Sequence, residues 1–173
     1  GSGREAFARY LREAGDRASR PLVILVASTV RESDAEPLLL GNQSGNDAGS
    51  GPRKGILEQA AGGTLFISDI DDLLPAAQRI LLGVLETGSF TRVGGTEPVP
   101  FDARVIASAR PGIEQRAGLG EFRSDLLAQL NTLVFRVPPL RDYAEDVLEL
   151  LRCYVDRLVD AVSLPLRKFS VAA

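Results

Sequence analysis

The sequence predicts an α/β fold, a three-layer sandwich around a central parallel sheet, and three observations carry that expectation. Helical and strand patterns alternate along the chain, which in one compact domain places helices over a parallel sheet. Thr64-Leu65-Phe66-Ile67 is a short run without polar alternation, as expected of a strand covered on both faces. The 173 residues, 45% apolar and 25% charged, suffice for one well-buried core.

The elements follow in order. Arg4 to Ala14 carries Phe7, Ala8, Tyr10 and Leu11 at helical spacing, and Gly15 is a stop signal. Leu22 to Val26 is a strand bounded by Pro21 and by Ser28 and Thr29. Gly41 to Gly55 holds almost no apolar side chain and is expected to be a mobile loop, the one low-complexity segment. After the strand at Thr64 to Ile67, Asp71 and Asp72 precede Pro75, and Ile80, Leu81, Val84 and Leu85 form a stripe closed by Gly88. Those are start and stop signals of a helix. Arg104 to Ala109 is predicted as another buried strand, Glu121 to Leu130 as a helix, Leu133 to Val137 as a third central strand, and Glu145 to Val162 as a long amphipathic helix. No internal repeat is visible.

Composition removes several function classes. A net charge of -3 and a pI near 5.1 argue against direct nucleic-acid contact by this segment, because phosphate-backbone footprints are strongly basic. The chain has no His, which excludes hydrolase triads and histidine metal sites. The single Cys153 lies in a helical pattern and reads as a buried, inert thiol, so a reducing cytoplasm is expected. No apolar run approaches the roughly 18 residues of a membrane span, and no signal peptide opens the chain. The absence of Met predicts a piece of a longer protein with domains on either side.

A series of landmarks is more specific than any single element. Gly55-Ile56-Leu57-Glu58-Gln59-Ala60, Gly62-Gly63-Thr64-Leu65-Phe66, Phe90-Thr91-Arg92-Val93-Gly94-Gly95-Thr96, Ala103-Arg104-Val105-Ile106-Ala107, Phe122-Arg123-Ser124-Asp125-Leu126 and Val137-Pro138-Pro139-Leu140-Arg141 stand in this order. Together they resemble the central AAA+ domain of sigma-54-dependent transcription activators, the NtrC family. The resemblance covers 1–162, with 163–173 similar to the start of the family's helical lid. It implies a P-loop NTPase-like sheet truncated before that lid, in a ring-forming ATPase that remodels sigma-54 RNA polymerase. It also implies receiver and DNA-binding domains in the same longer chain, and self-association into a dimer or ring. No membrane contact is implied.

The family's chemistry carries over only where residues match. Gly1-Ser2-Gly3-Arg4-Glu5 resembles the end of a phosphate loop, Gly-Thr-Gly-Lys-Glu, so the preceding strand and first half of the loop are expected to be missing; Gly1 and Ser2 read alternatively as a cloning remnant. A phosphate loop cradles phosphates with backbone N–H groups while its Lys reaches the terminal ones. Arg4 takes that Lys position, and its planar guanidinium is not a conservative exchange. The other reading of Arg4 is a solvated first-turn residue.

At the carboxyl end of Thr64 to Ile67 the family has an Asp that holds magnesium, then a Glu that polarises the attacking water. Here Ser68 and Asp69 occupy those places. Ser68 removes a carboxylate from a site that needs one, and Asp69 is one methylene short. The pair reads equally as a strand end that caps a turn with Asp71 and Asp72. Arg110 aligns with the phosphate-sensing Asn. Arg123 matches one arginine finger, or else is a plain salt-bridge partner, and Gln129 replaces the second finger, whose loss is worth about three to five orders of magnitude in phosphoryl transfer. Gly45-Asn46-Asp47-Ala48-Gly49-Ser50 stands where activators carry Gly-Ala-Phe-Thr-Gly-Ala for sigma-factor contact, a loss that resembles the NtrX-like subgroup.

The expected protein is therefore a degenerate AAA+ domain of a response regulator, an interaction module with its ATP hydrolysis lost. The cofactor candidates are ATP or ADP with magnesium at Gly1, Ser2, Gly3, Arg4, Glu5, Ser68, Asp69 and Arg110. The catalytic candidates are Asp69 and Arg123, and no dedicated metal site is expected. A slow ATPase in which Asp71 or Asp72 replaces the metal ligand stands beside it, as does nucleotide binding without hydrolysis.

Overall fold

The computed structural model describes residues 3–44, 51–142, 149–152 and 155–156. They fall into two compact units, 3–135 and the residues from 136 onward. In chain order the first unit contains α1 (Arg4–Glu13), β1 (Leu22–Val26), α2 (Ala35–Leu40), β2 (Gly41–Asn42), β3 (Arg53–Lys54), α3 (Ile56–Gln59), β4 (Thr64–Ser68), α4 (Pro75–Thr87), β5 (Ser89–Thr91), β6 (Pro98–Pro100), β7 (Arg104–Ala107), α5 (Ile113–Gly118) and α6 (Ser124–Leu130). The second has a 3-10 turn at Leu140–Asp142 and helical residues 149–152 and 155–156. Among the described residues no helix is long and apolar enough to cross a membrane.

The expected α/β architecture is present: a parallel sheet in the order β1-β4-β7 with helices around it. Leu22 pairs with Thr64 and Thr64 with Arg104, so the carboxyl ends of all three strands lie together. The central strand β4 is buried from Thr64 to Ile67, which is why its sequence shows no alternation. Helices α1, α3 and α6 pack on β4, β1 and β7 respectively. Gly63 lets the chain enter β4 against Pro21, whose carbonyl a Cβ would strike. Gly88 closes α4 in the left-handed conformation, φ 67°, as its stop signal predicts.

Four sequence expectations need correction. Leu133 to Val137 forms no strand: Leu133, Val134 and Phe135 are exposed, and Phe135 meets Phe7 edge to face at 5.4 Å between centroids. An apolar run becomes a strand only where a neighbouring backbone supplies hydrogen bonds, and among the described residues none pairs with it. The strand expected at Arg104 to Ala109 ends at Ala107 and is half-buried, because β7 is an edge of the sheet. The helix expected from Glu121 begins at Ser124, and the preceding α5 was not foreseen. The loop Gly41 to Gly55 is gathered at its base by the β2–β3 ladder. Residues 45–50, Cys153, most of the helix expected at Glu145 to Val162, and 163–173 lie outside the described residues.

Candidate functional site

Strand order brings four of the candidate residues, Arg4, Ser68, Asp69 and Arg110, to the carboxyl ends of β4 and β7, where parallel sheets present their ligand sites. Ser68 ends β4. Asp69 follows with φ 51°, the one non-glycine residue with positive φ among those described, a conformation that a short polar side chain tolerates best. Three hydrogen bonds sew this turn to the end of β7: Ser108 N–H donates to Ile67 O at 2.9 Å, Ile70 N–H to Ser108 O at 2.8 Å, and Asp69 N–H to Ser108 Oγ at 3.0 Å. Ser108 is buried, and its position after an apolar run gave no sign of this role.

Arg4 enters from the start of α1. Its Nη2 lies 2.9 Å from Asp69 Oδ1 and its Nη1 donates to Ala109 O at 2.8 Å. Ser68 Oγ donates to Asp69 Oδ2 at 3.2 Å. Two of the expected nucleotide-site residues, Arg4 and Ser68, thus both contact a third, Asp69. Gly3, at φ 72°, precedes α1, Glu5 binds Arg9 within the helix at 2.7 Å, and Gly1 and Ser2 lie outside the described residues.

Arg110, expected at the phosphate-sensing position, is engaged elsewhere. Its Nε donates to Asp71 Oδ2 at 2.6 Å, its amide N–H to Asp71 Oδ1 at 3.2 Å, and its Nη2 meets Asp72. Arg116 of α5 adds a third donor to Asp71 at 3.2 Å and also pairs with Glu121. Burial pushes the Asp71 carboxyl up, but the side-chain and backbone hydrogen bonds from Arg110 outweigh it and hold the group below its ordinary value.

Arg123 precedes α6 and forks onto Asp125, with contacts of 3.0 and 2.5 Å. That hydrogen bond keeps the Asp125 carboxyl low and the Arg123 guanidinium high. The amide of Arg123 donates to Oε1 of buried Gln78 at 2.9 Å, and Gln78 Nε2 donates to Leu73 O at 2.6 Å. A Gln inside the apolar stripe of α4 was the available signal for this support. Gln129 is exposed on α6. At the base of the Gly41 to Gly55 loop, Arg92 binds Glu58 through two nitrogens at 2.9 and 2.8 Å and Gln43 at 3.2 Å, and Asn42 bridges to Val93. Hydrogen bonding from Arg92 lowers the Glu58 pKa.

Residues 1–136 match the Sigma-54 interaction domain family. The DNA-binding transcriptional regulator NtrC of Rhizobium meliloti is 37% identical over 174 residues, covering 100% of this chain and 36% of that protein. NtrX from Brucella abortus, solved in complex with ADP, is 30% identical with a TM-score of 0.83 over 99% of this chain and 38% of its own. Hsp104 shares the fold at 18% identity, with a TM-score of 0.56 over 75% of this chain and 26% of its own. The chain spans about a third of the length of the curated relatives it matches.

Proposed function

The chain belongs to the sigma-54 interaction domain family, and from that premise we propose that it is a degenerate AAA+ domain of a bacterial two-component response regulator. In this reading the scaffold serves self-association, as a dimer or ring, and contact with receiver and DNA-binding domains of the same longer chain. Hydrolysis of ATP has been lost. Its place of work is the cytoplasm, with transcription.

One observation carries the reading: the acids at the carboxyl end of the central strand are already committed to arginines, Asp69 to Arg4, Asp71 to Arg110 and Arg116, and Asp72 to Arg110. Magnesium in a phosphoryl-transfer site is bound by free carboxylate or hydroxyl oxygens beside substrate phosphates. Ser68 adds a hydroxyl that itself binds Asp69. Among the described residues no three His, Cys, Asp or Glu side chains are grouped so as to hold a metal ion. The residues present do not fit a magnesium ion.

Nucleotide binding without hydrolysis is the second reading, favoured by the occurrence of ADP in the similar NtrX structure. The alternative of an active ATPase that remodels sigma-54 RNA polymerase requires an acid free to hold metal. Phosphate release from magnesium-ATP, measured on the complete protein, tests the main reading. The expected result is release no faster than a blank; sustained turnover near one per second would overturn it. A thermal shift on adding magnesium-ATP marks the second reading, since ligand at about 100 times its dissociation constant adds roughly 2.7 kcal/mol.

A further inference from the structure

We propose that Arg4 and Asp69 form an internal latch, in which the Asp69 carboxylate acts as a built-in anion for Arg4 and ties the start of α1 to the ends of β4 and β7. The inference rests on the reading of a lost hydrolytic site and says what has taken its place.

Four features of the geometry point the same way. The Arg4 guanidinium reaches two elements at once, Asp69 Oδ1 beyond β4 at 2.9 Å and Ala109 O beyond β7 at 2.8 Å. A planar fork can do this, whereas the ammonium of Lys is a single point charge. The carboxylate is oriented rather than free, for Ser68 binds Oδ2 and Ser108 holds the Asp69 amide. Asp69 Oδ1 is buried and accepts no well-angled hydrogen bond, so the charge of Arg4 is what offsets its loss of water. The two side chains are 29% and 33% exposed, sheltered enough for the pair to outweigh an ordinary surface contact.

The latch also fits together the two exchanges that the family resemblance implies at these positions. A guanidinium extends further than an ammonium, and an Asp reaches less far than a Glu, so the longer cation and shorter anion at these positions meet as a matched pair. Ser108 is then a positioning residue: by accepting the Asp69 amide it holds the left-handed turn that aims the carboxylate at Arg4.

Amide hydrogen exchange in the first turn of α1, read at Phe7 N–H, which donates to Gly3 O at 2.9 Å, tests the latch. Arg4→Met and Asp69→Asn are each expected to speed local exchange about two- to fivefold, the range of a partly exposed ion pair. The double variant should exchange no faster than either single one. Arg4→Lys should fall between, and Ser108→Ala should reproduce Asp69→Asn in part. Additive effects, or singles indistinguishable from the native chain, overturn the latch. Phosphate release is followed on the same protein: turnover overturns the lost-hydrolysis reading, whereas an additive cycle without turnover overturns the latch alone.

Discussion

The Nε of Arg110 lies 2.6 Å from one carboxylate oxygen of Asp71 while the backbone amide of Arg110 stands 3.2 Å from the other. The carboxylate is 2% exposed and the guanidinium 52%. The pair therefore joins a buried anion to a cation that still reaches water. It fastens the turn after β4 to the segment after β7, beside the Arg4 contact.

Asp71→Asn should destabilise the domain by about 1–3 kcal/mol, the cost of weakening a buried, charge-assisted hydrogen-bond group. Arg110 and Arg116 remain partly hydrated, so the loss should stay below the roughly 3–5 kcal/mol of a pair broken in a fully buried site. Urea unfolding of the two proteins measures the difference. A change under about 0.5 kcal/mol would show that the network contributes nothing net.

Acid should weaken the fold through the same chemistry. Glu58 is held below its ordinary value of 4.5 by Arg92, and Asp71 below 3.8 by Arg110 against the opposing effect of burial. The unfolded carboxyls take up protons first as pH falls. Their stabilisation is thus complete above those ordinary values and is lost as pH drops through the lower folded ones. Thermal melts across that window should decline less steeply for Glu58→Gln than for the native chain; parallel acid limbs would contradict the assignment.

Two glycines should respond differently to alanine. At Gly63 a Cβ would strike the Pro21 carbonyl, whose oxygen also accepts the Thr64 amide at 2.9 Å, and the backbone must move. The expected loss is about 3 kcal/mol. At Gly88 nothing lies near the added carbon, so only the left-handed backbone opposes it, at about 1 kcal/mol. Denaturant midpoints that reverse this order would refute the account.

Gln78→Leu keeps side-chain volume but leaves Leu73 C=O and Arg123 N–H without their buried partner. A loss of about 1–3 kcal/mol follows from unpaired polar groups, measurable by thermal unfolding. Arg123→Ala should leave stability nearly unchanged, because among the described residues its guanidinium hydrogen-bonds to Asp125 alone, near the surface. Any large effect of Arg123→Ala must then appear in self-association, read by sedimentation.

Local signals were sufficient wherever local physics decides. The stripe of α4 with Pro75 before it and Gly88 after it, the apolar run of β4, and the spacing of Phe7, Ala8, Tyr10 and Leu11 on α1 all became the expected elements. Periodicity reports a buried face, and Gly and Pro report chain ends. Leu133 to Val137 shows the limit, for the same kind of run finds no partner strand among the described residues.

The ordered landmarks were likewise enough to identify the family and to single out Ser68, Asp69, Arg4 and Arg110 as candidates. Which acid each arginine would take was not legible. Asp71 and Arg110 stand 39 positions apart, Arg4 and Ala109 stand 105 apart, and no local pattern distinguishes Asp69 from Asp71 as the partner of either cation. Parallel pairing of β4 with β7 sets that choice, by bringing two strand ends and the start of α1 within the length of a guanidinium.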